Sequence, residues 1–165
     1  IRAVCDRFAG DVAFAVIRDD LFGWTEMAAQ SSLFQETILP RLLRLIAPIR
    51  EHSLLVGLNS TGRVEEALPV LNKHGFDLIQ SMDPRCNHLQ EAREKWRGRM
   101  AFIGGFPLEA LVSGNRETVE ARVAELCREM AKGGGFVLGA AGDIGADVRP
   151  ELFLALSRAV NRCRE

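Results

Sequence analysis

The chain has 165 residues, with 21 Lys+Arg against 22 Asp+Glu and a formal net charge of −1. Its 47% apolar and 26% charged content is that of a globular protein, and the length predicts a single domain with its own core. The near-neutral balance excludes nucleic-acid or anionic-membrane binding driven by bulk charge, and no apolar run reaches the roughly 20 residues of a membrane span.

The first apolar run is Val12–Ile17, ending in Arg18-Asp19-Asp20. Continuous rather than alternating, it predicts a strand buried on both faces. A loop containing Gly23 and Trp24 leads to Ser32-x-x-Gln35, which reads as a capping box. The helix it opens carries Leu39, Leu42, Leu43, Ile46 and Ile49 on one stripe, with a kink or early stop expected at Pro40 or Pro48.

The second unit is the strand Leu54–Leu58, the turn Asn59-Ser60-Thr61-Gly62, and a helix from Arg63 to His74 stopped by Gly75. The third is Phe76–Gln80, the loop Ser81-Met82-Asp83-Pro84, and a helix from His88 to Trp96 capped by Asn87. Met100–Gly105 is the fourth strand; its helix runs from Arg116 to Lys132, capped by Asn115 and stopped by Gly133–Gly135. The fifth is Phe136–Ala140, a loop to Asp147, and a last helix opened by Pro150.

Strict alternation of strand and helix predicts an α/β fold of parallel strands. The first turn, Arg18–Leu21, is acidic and has no glycine cradle, and Gly133–Gly135 precedes a strand. A dinucleotide-type open sheet is therefore disfavoured, and five βα units of a (β/α)8 TIM barrel are expected.

Ligands of either architecture meet the carboxyl ends of the strands. Those ends here carry Asp19 and Asp20; Asn59, Ser60 and Thr61; Gln80, Ser81 and Asp83; Gly104 and Gly105; Gly142 and Asp143. Each Asp or Asn has an ordinary use as a cap or turn residue, but together they define an acidic, glycine-lined mouth. Neighbours on a strand point to opposite faces, so two carboxylates acting together as acid and base would have to combine Asp19 or Asp20 with Asp83 or Asp143. No His stands beside a Ser or Cys at a strand end, which excludes a nucleophilic triad. His52 and His74 fall at helix ends, where the dipole favours a cation. Cys86-Asn87-His88 has a two-ligand spacing, but no metal is expected there.

The order of segments resembles the uroporphyrinogen decarboxylase superfamily, which includes porphyrin decarboxylases and zinc-dependent, cobalamin-linked methyltransferases. The resemblance is carried by Arg18–Gly23 with Ser31–Phe34 and Ile38–Pro40, and by Leu58–Gly62. Phe102–Gly105, Gly134–Leu138 and Asp147–Glu151 follow in the same order. It covers essentially the whole chain and implies the second half of a (β/α)8 barrel, in one partial-barrel domain over residues 1–165.

The resemblance also implies where chemistry would sit. The zinc positions of the methyltransferase branch fall on Asn59, Thr61 and Gly142, none of which is an ordinary zinc ligand, so no metal and no other cofactor is expected. Gly142 also stands where the decarboxylase branch places a His, and the chain contains no tyrosine to match that branch's Tyr. Asp19, Asp20 and Asp143 are the expected catalytic carboxylates. Asn59, Ser60, Thr61, Asp83 and Gly105 are the expected substrate-binding residues.

The implied function is a decarboxylase or methyltransferase acting on a tetrapyrrole or corrinoid-linked methyl substrate, with a corrinoid protein as partner. The alternative is a ligand-binding or scaffold module that has lost the metal site. Scattered Cys5, Cys86, Cys127 and Cys163 without a CxxC pair predict reduced thiols and a cytoplasmic location. The chain opens on Ile1, as a processed chain or a piece of a longer one would. Five βα units cannot close an eight-stranded barrel, so homo-oligomerisation or membership of a longer chain is expected.

Overall fold

Strand and helix alternate along the chain in the computed structural model, which describes residues 1–22 and 29–163. Gly23 and Trp24 lie outside the described residues. The chain divides into two compact units, Ile1–Gln80 and Ser81–Glu165.

The first unit contains α1 (Arg2–Phe8), β1 (Phe14–Arg18), a π-helix (Leu33–Ile38), α2 (Leu39–Glu51), β2 (Leu55–Asn59), a 3-10 turn (Val64–Ala67) and α3 (Leu68–Lys73). β3 (Leu78–Met82) begins in this unit and ends in the next. β1 and β2 run parallel with Phe14 opposite Leu55 and Arg18 opposite Asn59; β2 and β3 run parallel with Gly57 opposite Leu78. Gly57 has no side chain because a Cβ there would overlap Leu78 and touch Val16 on the flanking strands. Phe34, Val56, Leu58, Leu68, Leu71, Phe76 and Ile79 are fully buried. At about 1.5–3 kcal/mol for each large side chain, that burial outweighs an exposed ion pair such as Arg2–Glu51.

Several local expectations are corrected here. β1 is half-exposed rather than buried on both faces, with Phe14 at 41%. The cap before α2 comes from Ser31, whose hydroxyl accepts the Phe34 amide at 3.2 Å; Ser32 is already in helical conformation and makes no cap bond. Gln35 donates instead to the Ala29 carbonyl at 2.6 Å. Pro40 marks the passage from π-helix to α2, where a missing N–H costs least, while α2 continues through Pro48 to Glu51. Pro69 has the parallel effect in the next unit: the expected single helix from Arg63 is a 3-10 turn followed by α3.

The second unit contains α4 (Leu89–Lys95), β4 (Ala101–Phe106), α5 (Glu109–Val112), α6 (Arg116–Met130), β5 (Phe136–Ala140) and α7 (Pro150–Arg162). β4 and β5 are parallel, with Phe102 opposite Phe136 and Phe106 opposite Ala140. α6 packs against β4, β5 and α7, burying Val119, Val123 and Leu126. Its start is the expected one: the Asn115 side chain accepts the Thr118 amide at 2.9 Å and the Thr118 hydroxyl accepts the Asn115 amide at 3.1 Å. The expected Asn87 cap of α4 is corrected. His88 is the N-cap residue, and the buried Asn87 amide donates to the Asp83 carbonyl at 3.0 Å.

Candidate functional site

The carboxyl ends of β1 and β2 build one cluster in the first unit. The β1–β2 ladder extends past Arg18, with the Asp19 amide donating to the Asn59 carbonyl at 3.1 Å. The Leu21 amide then closes a tight turn onto the Asp19 carbonyl at 2.9 Å. That turn leaves Asp19 exposed and sends the half-buried Asp20 towards the end of β2. Asp20 Oδ1 accepts the Thr61 amide and the Thr61 hydroxyl, each at 2.7 Å, and the Ser60 hydroxyl at 3.5 Å. All three bonds fall on Oδ1, and Oδ2 is engaged by none of them. Ser60 is only 1% exposed and its Oγ accepts the Phe22 amide at 3.1 Å, so this hydroxyl fastens the β1 turn to β2. Asn59 is half-buried beside them.

In the second unit Asp83 is buried after β3, and Arg85 folds back onto it. Arg85 Nε reaches Asp83 Oδ2 at 3.0 Å, Nη2 reaches the same oxygen at 2.6 Å, and the Arg85 amide reaches Oδ1 at 2.9 Å. Arg85 Nη1 also pairs with Glu109. Hydrogen bonding to Asp83, followed by the charges of Asp83 and Glu109, holds the guanidinium above its ordinary pKa against the opposing effect of burial. The Asp83 carboxylate is thus engaged by a cation of its own loop. Asp143 is exposed after β5.

Positive-φ backbone gathers at the ends of β3 and β4. Ser81 has φ +72°, Gly104 φ +126° and Gly105 φ +83°. A Cβ on Gly104 would stand 3.1 Å from the Met82 amide nitrogen, and one on Gly105 would stand 2.9 Å from Leu89 Cδ2. Gly104 therefore serves the close approach of two backbones, and buried Ser81 holds a left-handed conformation that costs a residue with a side chain about 1–2 kcal/mol.

The zinc that the family resemblance implies does not fit these residues. The Thr61 hydroxyl donates its proton to Asp20, and Asn59 and Gly142 offer a carboxamide and no side chain. Cys86 Sγ lies 3.7 Å from the Asp83 carbonyl, and His88 is exposed at the start of α4. Among the described residues no three His, Cys, Asp or Glu side chains converge as a metal-holding group.

Sequence reasoning missed Arg85, Glu109 and the conformation of Ser81. Arg85 carried a readable signal, a cation two residues after a strand-end Asp across Pro84, in a span suited to a turn. The pairing with Glu109 is a contact distant in sequence and had none.

Strands alternating with helices define an α/β fold of the barrel type. A family model for uroporphyrinogen decarboxylase (URO-D) matches residues 3–163, and the chain belongs to that family. Among solved structures it is similar to a methyltransferase from Methanosarcina mazei, at 19% identity and a TM-score of 0.72 over 94% of this chain. The chain spans 43% of that methyltransferase's length, and the likeness shows the fold, part of a barrel. No curated protein matches the sequence.

Proposed function

We propose that this chain, acting as one partial-barrel domain, supplies strand-end groups of an active site for a tetrapyrrole or corrinoid-linked methyl substrate. The observation that carries this reading is Asp20, oriented through Oδ1 with Oδ2 outside that bonding. Asp20 orients the substrate by accepting its N–H groups, or delivers a proton to it. Ser60 and Thr61 position Asp20, and Asn59 adds a hydrogen-bonding group. Asp19 is an exposed carboxylate of the same cluster; in the second unit, Asp143 is a further exposed carboxylate, and Asp83 and Gly105 shape the β3 and β4 ends. A corrinoid protein is the partner that the methyltransferase reading requires, in the cytoplasm, where the four free cysteines stay reduced.

The test is calorimetric titration of the chain with a porphyrinogen and, separately, with methylcobalamin. Saturable binding of either, weakened about tenfold or more by Asp20→Asn, supports the reading. Binding of neither by the folded chain overturns it.

A second reading, a binding module without turnover, is favoured by the donor chemistry at Asn59, Thr61 and Gly142. It expects ligand binding without product; stoichiometric zinc in the purified protein, by elemental analysis, would count against it. Self-association is supported by the exposed apolar residues of the outer strands, Phe14 at 41% and Val137 at 55%. A soluble monomer at all concentrations in sedimentation equilibrium would refute it.

A further inference from the structure

α4 and α6 border a cavity of about 480 Å³ that is separate from the strand ends. Its charged lining is Arg93, Arg97, Arg128 and Lys132 against Glu94 and Glu129. The negative ends of both helices favour cations here, which accounts for the exposed Arg97 and Arg128. It does not account for Arg93, which is 2% exposed.

Arg93 Nη2 donates to the Lys132 carbonyl at 3.1 Å and to the Gly134 carbonyl. Its Nε and Nη1 are buried and have no hydrogen-bond partner among the described residues. Those atoms carry three N–H donors, and an arginine is almost never buried with donors unmatched. Glu129 does not supply the missing acceptors: it receives Gln90 on one oxygen and lies 3.8 Å from Arg128 on the other. Four cations less two carboxylates leave an excess of two positive charges on the lining. An oxyanion with two negative charges matches the charge of the lining, and its several oxygens are the kind of acceptor that the enclosed Nε and Nη1 lack.

We propose that the α4–α6 cavity binds a small phosphate-class dianion, with Arg93 at its base and Arg97, Arg128 and Lys132 around it. The site is independent of Asp20 and of the function proposed above. Arg93 also holds the loop from Lys132 to Gly134 through its carbonyls, so occupancy is felt there.

The experiment titrates inorganic phosphate, and in a second arm adenosine monophosphate, into the full chain at constant ionic strength, following the amide resonances of Gly133, Gly134 and Gly135. A saturable shift is expected, and the exposed double variant Arg97→Ala/Arg128→Ala should raise Kd about tenfold or more without unfolding. Arg93→Lys, checked for its thermal transition, should abolish the shift. Tighter binding of the nucleotide assigns a nucleoside phosphate, and equal binding assigns the phosphate group alone. No saturable shift in the folded chain, an equal shift with sodium chloride, or unchanged affinity in the double variant overturns the proposal.

Discussion

Asp20 Oδ1 receives both donors of Thr61, the amide and the hydroxyl, each at 2.7 Å. One residue at the end of β2 thereby fixes the carboxylate that follows β1. Thr61→Val keeps the amide and the shape but removes the hydroxyl. It should cost about 1 kcal/mol in urea denaturation and leave the fold intact, while weakening ligand binding less than Asp20→Asn does. Equal losses from the two variants would show that Thr61 contacts ligand directly.

Gly104 and Gly105 should respond differently to alanine. At Gly104 the new Cβ meets a backbone nitrogen at 3.1 Å, whereas at Gly105 it meets the movable end of Leu89. Both carry left-handed strain of about 1–2 kcal/mol, so Gly104→Ala should be the more destabilising by a further kcal/mol or so. Chemical denaturation of the two variants checks the order.

His52 links α1 to α2. Its Nδ1 lies 2.7 Å from the Pro48 carbonyl and its Nε2 lies 2.8 Å from an Asp6 carboxylate oxygen. The Pro48 carbonyl, then the Asp6 carboxylate, raise its pKa above the usual imidazole value against the effect of burial. A raised folded-state pKa contributes stability in full below the unfolded value of about 6.5, and that contribution is lost as pH rises through the folded value. The Tm gap between the chain and His52→Gln should be wider at pH 5.5 than at pH 8.5. A gap independent of pH would contradict this.

Cys127 should alkylate slowly although it is not fully enclosed. Burial, and then its hydrogen bond with Cys163, push its thiol up to about 11. At pH 8 only about one molecule in 1,000 then carries the thiolate. Mass mapping after a timed iodoacetamide pulse should find little label on Cys127. Rapid labelling would show that the α6–α7 contact opens.

Much of the fold was legible because local signals agreed with one another. Phe136–Ala140 is the strand its apolar run predicted, and α6 has its Asn115 start. Two of the misreadings, both of helix caps, occurred where neighbouring residues competed for one role. Ser31 and Ser32 both precede the π-helix, and Ser31 takes the role through a local contact three residues on, with the Phe34 amide. Asn87 is a good cap by type, but burial beside the Asp83 carbonyl claimed its amide. The short helices α1 and α5 are too brief to show a period. At the site, the strand-end residues could be named from their spacing. Which of them spend their donors on each other depends on turn conformation, and neither the Asp20–Thr61 bonds nor the strain at Ser81 had a sequence signature.

The π-helix Leu33–Ile38 has a consequence for how related chains can differ in length. A π turn accommodates about one residue more than an α turn over the same rise. Removing one residue between Leu33 and Ile38 would restore ordinary α geometry and leave the inward stripe of Leu39, Leu42, Ile46 and Ile49 in register. This segment, directly before α2, is where a single-residue deletion can be absorbed without repacking the core behind it.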